Sequence, residues 1–461
     1  MTAARRVAWN FGLQRAVERA EELGRPIVVL EGLRARYRWA SDRFHAFILE
    51  GMADNARRLR GSGILYYPYV ETKPDEGKGL LAALGACACV VVTDDFPEFF
   101  LPRMVASAAR QLPVRLEQVD GNGLLPMRLA GRTFPTAFAF RRFLQKELPR
   151  HLRQFPEPDP LASVGIRRAP SLPEEIARRW PRAPDGLLQD IVPALGSLPI
   201  DHTVGKVAME GGASAAQVAL RRFLDRGLPR YAESRNQPDE EVTSGLSPYL
   251  HFGHISPHQV FAELASRFDW SGDCLDPKAT GGRQGWWGLP PGAEAFLDQM
   301  VTWRELGYNL CATRPDYDRY ESLPDWARRT LEAHAGDRRA YVYSRSLLRN
   351  AQTHDPLWNA AQRQLTREGI IHNYLRMLWG KKILEWSPSP REALETMIEL
   401  NNTYALDGRD PNSYSGIFWC LGRYDRPWGP ERPVFGTIRY MSSLNTARKV
   451  RVEGYIQKYA P

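Results

Sequence analysis

The hydrophobic pattern of the first 150 residues alternates between two periods. Short runs rich in β-branched and aromatic residues, Pro26–Leu30, Ile64–Tyr67, Cys89–Thr93 and Val114–Gln118, read as buried strands. Between them, Phe44–Arg60 and Glu98–Gln111 repeat their apolar positions at helical spacing. This alternation predicts a doubly wound, Rossmann-like parallel sheet with helices on both faces, an α/β domain over residues 1–150. The chain opens on a helix, Trp9–Leu23, where such a domain would open on a strand. Residues 151–210 are rich in Pro and Arg and weak in periodicity, the pattern of a surface connector with short helices. From 211 to 461 nearly every segment reads as helical, including Ala213–Leu224, Ser256–Arg267, Ala293–Leu310, Trp358–Glu368, His372–Glu385 and Pro390–Leu400. The expected architecture is an α/β domain, an interdomain linker and a large all-α domain.

Composition narrows the class. With 43% hydrophobic and 25% charged residues, the chain can bury a core in each domain, which excludes disordered, collagenous and disulfide-dense proteins. The longest apolar run, Leu80–Val92, has 13 residues, fewer than the roughly 20 a membrane-spanning helix needs. No secretory leader pattern opens the sequence. The five cysteines are scattered, odd in number and without a CxxC pair, so free thiols in a reducing cytoplasm and no metal site are expected. The net charge of +9 suits attraction to phosphate backbones. Only 9 of the 62 basic residues are lysine, however, and an arginine bias also follows from genomic base composition.

Three stretches carry candidate chemistry. GLSPYLHFGHIS (Gly245–Ser256), preceded by Thr243 and Ser244, offers hydroxyls and free amides before a helix; it suits phosphate oxygens, although as a bare pattern it reads first as a plain helix cap. HNYLRMLWGKKILEW (His372–Trp386) sets Trp379 and Trp386 two helical turns apart on one face, the usual mark of a core, with Lys381 and Lys382 read as a solvated face. ELNNTYALDGRDPNSYSGIFW (Glu399–Trp419) is a dense polar knot whose buried amides and carboxylates need partners, as a heteroaromatic ligand would supply. Beyond it, Trp419, Trp428 and Tyr440 interleave with Arg423, Arg426, Arg432 and Arg439, a pattern that fits a nucleic-acid surface or a solvated mixed face.

Taken in order, these stretches together with WRELGYN (Trp303–Asn309), THDPLWNAAQ (Thr353–Gln362) and YDRPWGPERPVFGTIRYM (Tyr424–Met441) closely resemble the class II cyclobutane pyrimidine dimer photolyases of the photolyase/cryptochrome family. The resemblance is strong over about 210–450 and weaker in the α/β half. It implies non-covalent FAD in the helical domain and a monomeric cytoplasmic lyase. Excited reduced FAD would pass an electron to a pyrimidine dimer flipped out of UV-damaged DNA. Tyr231, Thr243, Ser244, Leu246 and Ser247 would hold the pyrophosphate and ribityl region, with Arg304 and Arg376 near the flavin, Asn401 facing its N5 and Asp407 pairing with Arg376. Trp379, Trp358 and Trp386 match the family's electron-transfer tryptophans. Trp303, Trp419 and Met377 would line the lesion pocket, Asn373 would reach a base carbonyl, and Arg423, Arg426 and Arg439 would face DNA.

The sequence departs from the family pattern at three places. Gln299 stands where the family places a dimer-bonding Glu, which predicts weakened repair. The family opens with an apolar strand before a segment like Met1–Arg6, so the first strand is expected to be absent and the true start upstream. Val119–Pro126 keeps the family's frame but the residues to about 150 diverge, which leaves open the deazaflavin antenna that some members bind in this half. The competing readings are a cryptochrome-like flavin photoreceptor without repair activity and a DNA-binding module without flavin.

Overall fold

The computed structural model describes residues 1–162, 169 and 171–461. The chain begins α1 (Phe11–Leu23), β1 (Val28–Leu33), α2 (Asp42–Leu59), β2 (Leu65–Val70), α3 (Leu80–Ala86), β3 (Val90–Asp94), α4 (Leu101–Gln111) and β4 (Arg115–Val119). It continues through α5 (Ala137–His151), α6 (Glu174–Arg179), α7 (Asp185–Gln189), α8 (Ile191–Leu195), α9 (Ala213–Arg222), α10 (Tyr231–Ser234), α11 (Ser247–His251) and α12 (Pro257–Arg267). Helices α13 (Pro291–Leu297) and α14 (Arg304–Thr313) flank a π-helical turn, Asp298–Trp303. Then follow α15 (Asp325–Ala333), α16 (Arg345–Arg349), α17 (Pro356–Glu368), α18 (Asn373–Trp386), α19 (Pro390–Tyr404), α20 (Pro411–Cys420), α21 (Ser443–Lys449) and α22 (Glu453–Lys458).

The described residues pack as two units. One comprises 1–126, 150–221 and 245–269; the other comprises 127–149, 222–244 and 270–461. Both draw on discontinuous stretches, a grouping that periodicity along the chain does not reveal. Thus α12 goes with the α/β unit, where Phe261 packs on Phe155 and His258 on Phe11. Most of α5 goes with the helical unit, where Arg141 pairs with Asp298 at 2.8 Å.

In the α/β unit, β1 runs parallel to β2 from Val28 opposite Leu65 to Leu33 opposite Val70. β3 runs parallel to β4 from Val90 opposite Arg115 to Asp94 opposite Val119. Helices α2 and α4 provide the crossovers that parallel pairing demands. The single doubly wound sheet expected from the sequence is instead two parallel pairs. The N-terminal residues touch both without joining either as a strand. The amides of Thr2, Ala3 and Ala4 donate to Oδ2 of Asp94 at 2.8, 2.9 and 3.2 Å, and the Met1 nitrogen donates to the Leu30 carbonyl at 2.8 Å. A carboxylate thus takes the donors that a strand ladder would otherwise use.

His254, in the same unit, carries a testable pH dependence. It is 1% exposed, stacks on Phe47 with ring centres 5.0 Å apart, and its Nδ1 accepts the Gly212 amide at 2.9 Å. Burial, with the nearby charges of Arg5 and Arg6, pushes the imidazole down to about 3. The unfolded chain binds this proton as pH falls below about 6.5, whereas the folded chain resists it, so stability drops with acidity across that window. At pH 4 the loss attributable to this group is roughly 3 kcal/mol. Denaturant titrations at pH 7 and pH 4 should therefore show a smaller acid loss in His254→Asn, which still accepts the Gly212 amide. An equal loss in both proteins would remove His254 as the cause.

The helical unit is built around α17–α20. Asp355 accepts the Trp358 amide at 3.0 Å to cap α17, Ser389 caps α19 and Asp410 caps α20, each followed by a proline at the first helical position. Helix α18 is buried nearly all round, so it has no polar face. This corrects the reading of Lys381 and Lys382 as solvated. They are 1% and 7% exposed, and Nζ of Lys381 donates to the Cys420 carbonyl at 2.6 Å. Burial pushes the Lys381 ammonium down to about 8. Gly380 allows the close approach of its neighbours, for a Cβ there would meet Sγ of Cys420 at 2.5 Å.

Candidate active site

The polar knot between α19 and α20 organises one part of the helical unit. Asn401, 2% exposed on α19, donates to Oγ of Ser413 at 2.8 Å and to Oδ1 of Asn402 at 3.1 Å. Both amide protons are thereby engaged, and its carbonyl oxygen keeps acceptor capacity. Asn402 in turn donates to the Tyr414 hydroxyl at 3.0 Å and accepts the Arg409 amide at 3.0 Å, which fixes the pair. From α18, Nη2 of Arg376 reaches both oxygens of Asp407 at 3.1 and 3.2 Å. Arg304 opens α14, 6% exposed, and donates to the Tyr308 hydroxyl one turn on at 3.0 Å. That hydroxyl donates to Asp410 at 3.3 Å. Tyr308, Asp410, Asn402 and Ser413 were not singled out in the sequence, although they lie in the motifs quoted there; Tyr308 is detectable by its helical spacing from Arg304.

Tyr231 also belongs to this unit, 8% exposed, its ring edge-on to Phe223 and Phe296 at 5.5 and 5.7 Å. Thr243 is exposed and Ser244 half-buried. Leu246 and Ser247 fall in the α/β unit, at the start of α11. There Leu246 is 1% exposed, while Ser247 is open to solvent.

The three tryptophans come together in the core. The Trp379 indole donates to Oε1 of Gln362 at 2.8 Å, and the Trp358 indole donates to the Trp379 carbonyl at 3.1 Å. The Trp358 and Trp386 rings meet edge to face, centres 5.5 Å apart. Each of the three is at most 2% exposed. Trp379 lies one turn beyond Arg376 on α18.

Gln299 and Trp303 both lie on the π-helical turn before α14, half-buried. Its first residue, Asp298, is held by Arg141. Such turns are rare and recur at functional sites, and nothing in the residue pattern announces this one. Trp419, half-buried on α20, has Nζ of Lys381 and the guanidinium of Arg439 each 5.9 Å from its ring centre. Met377 reaches Gly416, one turn before Trp419, and Asn373 is exposed at the start of α18.

The three expected DNA-facing arginines separate. Arg426 and Arg439 are exposed and lie over Trp428 at 4.7 and 5.0 Å. Arg423, by contrast, is 6% exposed, donates to the backbone and hydroxyl oxygens of Ser322 and lies over Phe418. This corrects its assignment to a nucleic-acid surface, because the guanidinium is buried and its Nη2 is bound to Ser322 inside the fold. Arg423→Ala should therefore lower the melting temperature, taking from the buried Ser322 carbonyl its side-chain donor at a cost of about 1–3 kcal/mol. Arg426→Ala and Arg439→Ala should leave the melting temperature unchanged and each reduce the salt slope of DNA binding by about 1. Calorimetry and salt-dependent binding to a duplex separate the two classes; a salt slope altered by Arg423→Ala alone would reverse the assignment.

Among the described residues no three His, Cys, Asp or Glu gather as a metal site, and no helix is long and apolar enough to cross a membrane. No family model matches the chain. The deoxyribodipyrimidine photo-lyase of Methanothermobacter thermautotrophicus is 34% identical over 99% of this chain and 93% of its own length. That of Oryza sativa subsp. japonica is 34% identical over 99% of this chain and 86% of its own length, and that of Potorous tridactylus is 31% identical over 100% and 80%. The crystal structure of a bacterial class III photolyase from Agrobacterium tumefaciens superposes with a TM-score of 0.65 over 100% of this chain and 85% of that one. At 17% identity this last likeness concerns the fold, an α/β domain joined to a helical one. The relatives' near-full-length identity, with the ordered motifs above, places the chain in the deoxyribodipyrimidine photo-lyase family.

Proposed function

We propose that the helical unit binds FAD and that the chain repairs cyclobutane pyrimidine dimers in UV-damaged DNA under light. The observation that carries this reading is that adjoining helices α18 to α20 bear the buried Asn401 amide network, the Arg376–Asp407 pair and the Trp379–Trp358–Trp386 cluster. Its chemistry fits a flavin. The spare carbonyl of Asn401 suits an N–H donor such as N5 of a reduced ring, and Arg376 and Arg304 supply cations beside an anionic one. Asp407 offsets and orients Arg376, so the guanidinium is already in place when a ligand arrives. Tyr231, Thr243 and Ser244, all in the helical unit, are proposed to hold the phosphate and ribityl portion. Bound and reduced, FAD supplies the photoexcited one-electron donor.

The protein's own part toward the lesion is geometric. Trp303, Trp419 and Met377 offer flat and flexible apolar walls for a splayed dimer, while Asn373 and Gln299 offer polar groups to orient it. Arg426 and Arg439 bring cations to the phosphate backbone. The first test is cofactor content. Purified protein should be yellow and release about one FAD per chain on denaturation. The Asn401→Ala and Arg376→Ala variants should lower FAD retention beyond what their loss of melting temperature in the FAD-free protein explains. A colourless chain that takes up no FAD on reconstitution would contradict the reading.

A further inference from the structure

Helix α18 buries a cation without an anionic partner. Lys381 is 1% exposed, and the Cys420 carbonyl at 2.6 Å accepts one of the N–H groups of its ammonium. Among the described residues no carboxylate lies within ion-pair distance of its Nζ. The Cys420 carbonyl belongs to the last turn of α20, where the Phe418 and Trp419 carbonyls already accept the amides of Leu421 and Gly422. The negative end of the α20 dipole offsets part of the charge. Taking an ammonium out of water without a counter-ion is costly, and one charged hydrogen bond returns only part of that cost. An apolar side chain of similar length would fill the same space more cheaply.

The charge sits against the proposed lesion pocket. Nζ of Lys381 lies 5.9 Å from the ring centre of Trp419, and the exposed Arg439 lies at the same distance from that ring. The other ionisable groups about Nζ do not cancel it. The Cys420 thiol, pushed up to about 11 by burial, is neutral at pH 7. From the segment after α20, Asp425 attracts the ammonium and Arg439 opposes it. Asp425 is itself engaged, its Oδ1 accepting the Arg426 amide and the Trp428 indole at 2.9 and 3.0 Å. On α18, Arg376 is paired with Asp407 and Lys382 with Glu385.

We propose that Lys381 is a positioning residue for dimer splitting, a buried cation held against Trp419 that stabilises the negative charge on a stacked dimer while it carries an extra electron. The inference rests on the repair reading above. The dimer gains one electron from the photoexcited reduced flavin, its two cyclobutane C–C bonds break, and the electron returns to the flavin. Lys381 gives up no proton in this cycle. Aromatic rings stack with centres about 4.5–7 Å apart, so a base on Trp419 lies no more than about 13 Å from Nζ. At that range, with the effective dielectric of a protein, one charge alters a rate about tenfold. Burial pushes the ammonium down to about 8, so the charge is present at pH 7 and is lost as pH rises through that value.

The test compares the FAD-loaded, reduced full chain with Lys381→Met and Lys381→Gln. Lys381→Met removes the charge and keeps the bulk, so its melting temperature at pH 7 should equal or exceed the parent's. Its repair of a thymine-dimer oligonucleotide, at saturating DNA and limiting light, should fall about tenfold with FAD content unchanged. Lys381→Gln keeps a donor for the Cys420 carbonyl and should lose repair to the same extent. Raising the pH through 8 should bring the parent's repair down to the level of the variants, whose own rates stay flat. The folded chain releases this proton near 8 and the unfolded chain near 10.5, so over that window the parent should gain stability relative to Lys381→Met. Repair restored in Lys381→Gln, or a lowered melting temperature in Lys381→Met with repair unchanged, would reduce Lys381 to a cap of α20 and overturn the proposal. A pH profile shared by the parent and both variants overturns it as well. If the parent itself repairs no dimer, the repair reading and this inference fall together; normal parental repair with unaffected variants sinks the inference alone.

Discussion

Replacing Trp379 by Phe should abolish light-driven reduction of the bound flavin while leaving a chemically reduced protein able to repair dimers. Trp379 lies one turn beyond Arg376 on α18 and carries on its own backbone carbonyl the hydrogen bond from Trp358. Removing its indole opens a gap in the row of easily oxidised rings, and electron tunnelling falls steeply with such a gap. A loss of at least about a hundredfold is expected, equivalent to roughly 2.7 kcal/mol on the barrier. The cost to folding is smaller. The substitution forfeits the indole bond to Gln362, worth about 1 kcal/mol, and leaves that acceptor unpaired. Continuous illumination with a sacrificial donor in solution, followed by flavin absorbance, measures the first effect. Repair after dithionite reduction measures the second. A variant that photoreduces at the parental rate would show that the electron path avoids this ring.

Converting Gln299 to Glu should raise the repair rate roughly tenfold, since a hydrogen bond involving an ionised group exceeds a neutral one by about 1.4 kcal/mol. Gln299 sits on the π-helical turn with Trp303, both half-buried. The nearest carboxylate in sequence, Asp298, is already neutralised by Arg141, so a new Glu would not face a bare like charge. Comparing single-turnover repair of the two proteins under saturating light gives the answer. A Gln299→Glu rate no higher than the parent's would mean that an amide serves the dimer as well as a carboxyl group does at this position.

The legibility of this molecule in its sequence varied with the physical origin of each signal. Strands announced by compact β-branched runs lie within a few residues of where they were read, as in Val90–Asp94 for Cys89–Thr93. Their assembly into two pairs was not legible, because sheet pairing is a long-range property of the chain. Binary pattern failed at Lys381 and Lys382, where the helix is buried on all sides and each ammonium has its own partner. Charge composition failed at Arg423 for the same reason: a count of arginines does not say which are spent on Ser322. The π-helical turn at Asp298–Trp303 has no compositional mark at all. The hydrogen-bond web about Asn401 and Asn402 lay inside a polar knot whose density was visible, but the division of its donors was not.

The central claim is light-dependent repair, and one measurement addresses it most directly. Purified, reduced protein is mixed with an oligonucleotide carrying a cyclobutane thymine dimer, and recovered thymine is followed under blue light and in darkness. Recovery in the light alone is the predicted result. No recovery under light, from protein with bound and reducible FAD, would contradict the account and favour a flavin photoreceptor that does not repair DNA.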